Sequence, residues 1–281
     1  FYKAFLNPQY STHKIPSAEN PLIPQEFLAE MKENMTADAY KREYEAEFTE
    51  AASSYFQQEL IRKSIELAQN LHLEPYVNLE QEIPKAEYYA GVDFGKLMDH
   101  SALAILQKTA RKTLNLVYYW QFPLQMPYTE VINTLVRADE KFHFKKLLAD
   151  QTGLGEPILD SLQEQGLTCA EGEKLSQDAK TELLTHLKLV MEQNQLAIPY
   201  NKNLCQQIND QQYSYGRNGK LTFSHPPNSH DDLLWALALA VYAAKTEVAP
   251  KLWVVAKTSN RGNRLQNLKW KLSRRMGGAT R

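Results

Sequence analysis

The 281-residue sequence holds only two cysteines, Cys169 and Cys205, far apart and without metal-ligand spacing. That excludes a disulfide framework and a cysteine-based zinc site, and fits a reducing cytosol with both thiols as packing residues. No apolar run approaches the roughly 20 residues that cross a bilayer as a helix, so no membrane partner is read. The start, Phe1-Tyr-Lys-Ala-Phe, lacks a basic end followed by an apolar stretch and is not a signal peptide. An initiator Met is missing too, and the chain is read as a fragment or trimmed product. No Gly-x-x-x-x-Gly-Lys-Ser/Thr occurs, so the sequence holds no phosphate-cradling P-loop, and ATP hydrolysis is not expected of it. The formal net charge is −1 at pH 7, so overall charge calls for no polyanion partner.

Charge is nonetheless unevenly placed. No acid follows Glu247, whereas Lys251, Lys257, Arg261, Arg264, Lys269, Lys271, Arg274, Arg275 and Arg281 do. Residues 248–281 thus read as a basic tail on an otherwise balanced protein. With 43% hydrophobic residues, the rest has ample apolar content for a core.

Residues 1–30 are rich in Pro, Asn and Ser. Helices are predicted from Pro24, over Ala37–Phe48 and over Gln57–Leu71, and the stretch Leu73–Lys85 reads as a linker. Residues 1–85 therefore form a helical N-terminal segment, with a domain boundary before residue 86. From there Tyr88–Asp93, Ala102–Gln107 and Leu114–Phe122 are apolar runs that predict an antiparallel meander. A helix over Pro127–Phe142, a strand over Lys146–Asp150 and a helix over Gly155–Gln165 follow, closed by Gly166. Thr168–Glu171 predicts a short strand, Ser176 caps a helix reaching Asn194, and Leu196–Pro199 is a brief strand. A helix over Asn201–Gln212 and a hairpin over Tyr213–Phe223 lead to a last helix, Asp231–Lys245, capped by Ser229. The order predicts an α/β domain over 86–247, a mixed sheet flanked by helices.

Three acidic motifs stand on these elements: Tyr88-Tyr-Ala-Gly-Val-Asp93-Phe-Gly, Leu147-Leu-Ala-Asp150-Gln-Thr-Gly-Leu-Gly and His230-Asp231-Asp232-Leu-Leu-Trp-Ala. Each has a plain structural reading. Asp93 suits a turn, Asp150 an N-cap, and Asp231 and Asp232 suit the positive end of a helix dipole. Converging carboxylates also hold hard divalent ions, and two ions about 4 Å apart are a common device for phosphodiester cleavage. An acid on the first strand, one ending the fourth and one on the last helix fit a ribonuclease H-like (resolvase-type) arrangement. There the first and fourth strands are neighbours and Asp93 lies beside Asp150.

Residues 88–244 resemble the nuclease domain of the large terminase subunit of tailed bacteriophages or prophages. The matching segments are Tyr89-Ala-Gly-Val-Asp93-Phe-Gly with Asp99-His-Ser-Ala-Leu-Ala, Ala149-Asp150-Gln-Thr-Gly-Leu-Gly-Glu-Pro, the helix opened near Lys180, Leu196-Ala-Ile-Pro and Ser229-His-Asp-Asp-Leu-Leu-Trp-Ala-Leu-Ala. Upstream, Tyr40-Lys-Arg-Glu-Tyr-Glu-Ala-Glu-Phe looks like the family's connection from ATPase to nuclease.

The resemblance implies a two-metal endodeoxyribonuclease that cuts concatemeric viral DNA during genome packaging. It also implies partners: double-stranded DNA, a portal protein, a small terminase subunit and an upstream ATPase domain, whose remnant would occupy residues 1–85. The setting would be the host cytoplasm, at the procapsid portal. Asp93, Asp150 and Asp232 are the leading ligands, with Asp93 bridging two ions, and Asp231 and Asp99 are further candidates. Successive helical residues point about 100° apart, so Asp231 and Asp232 both ligate only at a frayed first turn. Oxygen donors favour Mg²⁺ or Mn²⁺ over Zn²⁺.

Lys180, Arg217 and Lys220 are candidate DNA contacts, His230 is read as a supporting residue rather than the base, and the tail serves portal docking or DNA. Trp235 stands where many relatives carry an acid, which predicts weak metal affinity. No base-reading element is apparent, so cleavage is expected to be non-specific, and the chain is expected to be a monomer. A Holliday-junction resolvase or transposase-like nuclease of the same fold, or a silent packaging or interaction module, are the alternatives.

Overall fold

The computed structural model of the chain describes residues 9, 11–47, 54–95, 99–152, 156–216, 220–227 and 229–245. Three helices open it, α1 (Gln25–Asn34), α2 (Ala37–Tyr44) and α3 (Gln58–Asn70). Then follow β1 (Glu87–Asp93), β2 (Ala102–Lys108), β3 (Leu114–Gln121), α4 (Tyr128–Phe142), β4 (Lys146–Asp150), α5 (Glu156–Glu164) and β5 (Ala170–Glu173). The chain continues with α6 (Gln177–Glu192), β6 (Leu196–Ala197), α7 (Lys202–Asp210), β7 (Gln212–Tyr215), β8 (Leu221–Ser224) and α8 (Asp232–Ala243).

Six strands form one mixed sheet in the order β5-β4-β1-β2-β3-β6. β1, β2 and β3 are the antiparallel meander, β4 lies parallel to β1, and β5 lies parallel to β4. Alternation along each strand divides the core between two faces. Tyr88, Ala90, Val92, Leu103, Ile105, Leu147 and Ala149 face one layer, filled by residues of α4 and α5. Ala102, Ala104, Leu106 and Leu148 face the other, filled by α3, α6, α7 and α8. Asp93 and Asp150 stand at even spacing from Gly91 and Leu148, so both lie on the α8 face, at the ends of adjacent parallel strands.

α8 is apolar all round, and every residue from Asp232 to Val241 is buried, as befits a helix laid across the centre of a domain. It sits directly on β1 because Gly91 leaves room for it. A Cβ at Gly91 would stand 2.1 Å from the Ala236 carbonyl oxygen and 2.3 Å from the Ala240 nitrogen. This close approach carries the first turn of α8 to the end of β1.

Some sequence expectations shift. β5 lies two residues later than predicted, since Ala170-Glu-Gly-Glu takes its place beside β4 through register rather than apolar content. α7 ends at Asp210 and Gln212 opens β7 instead. Ser229 does not cap α8: its hydroxyl donates to the Pro226 carbonyl oxygen at 2.8 Å, and Asp231 holds the N-cap position. The stretch 73–85 has no regular structure but is packed, with the Tyr76 amide donating to the Val117 carbonyl oxygen and Leu79 buried. Arg217, the Asn218-Gly219 turn, Phe48 and the basic tail lie outside the described residues.

Candidate functional site

A pocket of about 290 Å³ opens where β1, β4 and α8 meet. Asp93, Asp99, Asp150, Asp231 and Asp232 line it, together with Lys180, His225, His230 and Trp235. Each acid arrives from a different local device. Asp93 ends β1, and just beyond it Gly95 donates its amide to the Ser101 hydroxyl at 3.2 Å while its carbonyl accepts from the Tyr128 hydroxyl at 2.8 Å. Asp150 ends β4, and its Oδ1 accepts the Thr152 amide at 2.7 Å, an Asx turn rather than a helix cap. The Thr152 hydroxyl in turn accepts the Leu175 amide at 2.8 Å, tying this loop to the start of α6, where Lys180 sits in the first turn.

Asp231 and Asp232 open α8, yet neither satisfies that helix's free amides. No side chain caps α8 at its N-cap position. Asp231 Oδ2 instead accepts the Trp235 indole N–H at 2.8 Å. Asp232 is 4% exposed, and its Oδ2 accepts the Gln121 side-chain amide at 3.2 Å. His230, exposed, reaches the same oxygen only at 4.0 Å. The His230 ring packs edge-on against His100, whose Nδ1 donates to the Phe122 carbonyl oxygen at 2.7 Å. Asp150 is therefore a turn former rather than the N-cap expected of it, while Asp231 and Asp232 stand at the positive end of α8 as expected without capping it.

Among the described residues the acids outnumber the cations that face them. Burial holds the Asp93 carboxyl well above the usual carboxylate range, and the charges of Asp150, Asp232 and Asp231 push the same way, with Lys180 opposing them. Burial likewise raises Asp232 to about 6, against partial relief from His230. Lys180 cannot neutralise so many acids by itself, and its ammonium also lies 5.1 Å from the centre of the Trp235 ring.

Among the described residues no three His, Cys, Asp or Glu side chains already stand close enough to hold an ion as they are. Repulsion among bare carboxylates opposes that closure, and a divalent cation removes it. The donor set is all oxygen, which matches a hard cation.

Of the candidate DNA contacts, Lys180 faces the pocket, whereas Lys220 on the β7–β8 hairpin pairs with Asp178 at 2.8 Å. Sequence reading missed the pocket's His225 and Thr152, and also Gln121, which bears on Asp232 from β3. Thr152 lies two residues after Asp150 in its motif, whereas His225 and Gln121 sit in no acidic motif and only the fold brings them near.

No protein-family model matches the chain. It is 26% identical over 207 residues to the large terminase subunits of Thermus virus P23-45 and Thermus phage G20c, which covers 72% of this chain. The chain spans about 40% of the length of those relatives. Among solved structures, the large terminase nuclease of thermophilic phage G20c with bound magnesium matches with a TM-score of 0.53 at 24% identity, over 64% of this chain and 96% of that one. The large terminase of bacteriophage HK97 matches with a TM-score of 0.51 at 11% identity, over 86% of this chain and 53% of that one. These likenesses show a shared ribonuclease H-like fold. The chain is thus similar in sequence to phage large terminase subunits and folded as their nuclease domains are.

Proposed function

We propose that this chain is a metal-dependent endonuclease that cuts concatemeric double-stranded viral DNA during genome packaging. The observation that carries the reading is the meeting of Asp93, Asp150, Asp231 and Asp232 at one pocket, with Lys180 as the facing cation. Asp93, Asp150 and Asp232 would hold two Mg²⁺ or Mn²⁺ ions, with Asp231 and Asp99 as further ligands. Such ions supply positive charge for a water nucleophile and for the leaving 3′ oxygen.

The residues themselves set the order of events. An acid-lined pocket repels a phosphodiester until its charge is offset, so DNA binding and ion binding support each other. Lys180 would meet a phosphate oxygen, and Trp235 holds Asp231 by one oxygen. Lys220 would have to leave Asp178 to reach DNA; the pair is exposed, so that exchange costs little.

In this reading residues 1–85 belong to an upstream ATPase domain and linker, 86–247 to the nuclease, and 248–281 to a tail for the portal or DNA. The working partners are DNA, the portal protein and the small terminase subunit, in the host cytoplasm at the procapsid portal. The test is incubation of supercoiled plasmid with the protein and Mn²⁺, beside Asp93→Ala. The wild type is expected to nick the plasmid in Mn²⁺ and not in EDTA, and Asp93→Ala to leave it intact. No nicking by the wild type, or equal cutting by both, would sink the reading, while preference for four-way junctions over linear duplex would favour a resolvase.

A further inference from the structure

Asp232 is held from outside its own motif. Its Oδ2 accepts the Nε2–H of Gln121 at 3.2 Å, from the end of β3. Gln121 Oε1 accepts the Nδ2–H of Asn203 at 2.6 Å, from the first turn of α7. Asn203 Oδ1 faces Gln207 Nε2 at 3.5 Å, one turn further on, the weakest link of the series. Gln207 Oε1 accepts the backbone N–H of Leu234 at 3.1 Å, in the first turn of α8. The path therefore leaves α8 at a backbone amide, crosses α7 and β3, and returns to α8 at the carboxylate of Asp232.

Amide orientation is ordinarily ambiguous, because side-chain oxygen and nitrogen are alike in size. Here both ends fix it. The Leu234 N–H can only donate, and an ionised carboxylate can only accept. A single arrangement of Gln207, Asn203 and Gln121 satisfies both ends, with every amide pointing its N–H toward Asp232. Amides aligned head to tail polarise one another, so each strengthens the next. The same path satisfies a free amide of the α8 N-terminus, which relieves Asp231 and Asp232 of capping. A neutral donor fixes Asp232 without cancelling its charge, as a lysine or arginine at the same place would.

We propose that Gln207, Asn203 and Gln121 form a one-way amide relay that fixes the Asp232 carboxylate through one oxygen and leaves the other to the pocket. The three are positioning residues, and the proposal rests on the reading of this pocket as a metal site. Partners of this kind typically cost about 10-fold to 100-fold in metal affinity when removed.

Asn203 is exposed, so its replacement is mild for folding. Asn203→Asp retains acceptors and loses the donor, which turns the Gln121 amide and points its oxygen at Asp232. The test titrates Mn²⁺ alone into wild type, Asn203→Asp and Gln121→Leu, read by electron paramagnetic resonance. The side-chain amide resonance of Gln121 is followed by NMR without metal, and thermal melting confirms folding. Both variants are expected to bind Mn²⁺ about ten-fold more weakly, with a displaced Gln121 amide resonance in Asn203→Asp. Wild-type Mn²⁺ affinity in both folded variants would overturn the proposal. A wild type that binds no Mn²⁺ would overturn the metal reading of the pocket instead. The amide resonance then decides the relay alone, and an unmoved resonance in Asn203→Asp overturns it.

Discussion

Asp93 shows what the site costs the protein when bare. Its carboxylate is pushed up by burial and by three neighbouring acids, with Lys180 opposing them. A group so placed works against folding while it stays charged and unpaired. Asp93→Asn removes the charge and keeps the shape. At neutral pH in EDTA it is expected to melt at a higher temperature than the wild type, by an amount equivalent to about 1 kcal/mol or more. Mn²⁺ should raise the wild-type melting temperature and leave the variant unmoved, because a ligand stabilises only the state that binds it. A lower melting temperature for Asp93→Asn in EDTA would mean that its carboxylate is already well paired.

The residues also show how far the sequence could be read. The acids were legible because each ends an apolar run or opens one. Gln121, Asn203 and Gln207 were not, because isolated polar residues on β3 and α7 carry no signal until the fold brings them to α8. Trp235 was legible as a departure from the family pattern, but its indole bond to Asp231 was not.

Among the elements, the pairing of α8 with β1 sets the geometry of the pocket. Gly91 is the point of closest approach, where an added methyl group would meet backbone rather than a movable side chain. Gly91→Ala is therefore expected to displace α8 or prevent its docking, with a loss of at least about 3 kcal/mol in urea unfolding. A variant of wild-type stability would show that α8 has freedom to shift across β1. The meander, β4 and α8 follow from apolar runs bounded by polar connections, which is why the sequence revealed them. β5 was misplaced by two residues because Glu171, Gly172 and Glu173 offer no such pattern, and only pairing with β4 orders them. The cap of α8 was misassigned to Ser229 for a different reason. Serine is a common cap, yet here its hydroxyl is taken by the loop carbonyl of Pro226.

For the whole molecule, the proposed activity requires distant segments of one chain to assemble a divalent-metal site that cleaves DNA. The acid cluster and the facing Lys180 meet only through the parallel pairing of β1 with β4 and the laying of α8 across them. The most direct test is anomalous diffraction from crystals of the protein soaked in Mn²⁺. The proposed site is expected to show manganese peaks ligated by Asp93, Asp150 and Asp232, absent in Asp93→Asn crystals treated alike. A wild-type pocket without manganese at saturating concentration, or peaks confined to other surface acids, would contradict it.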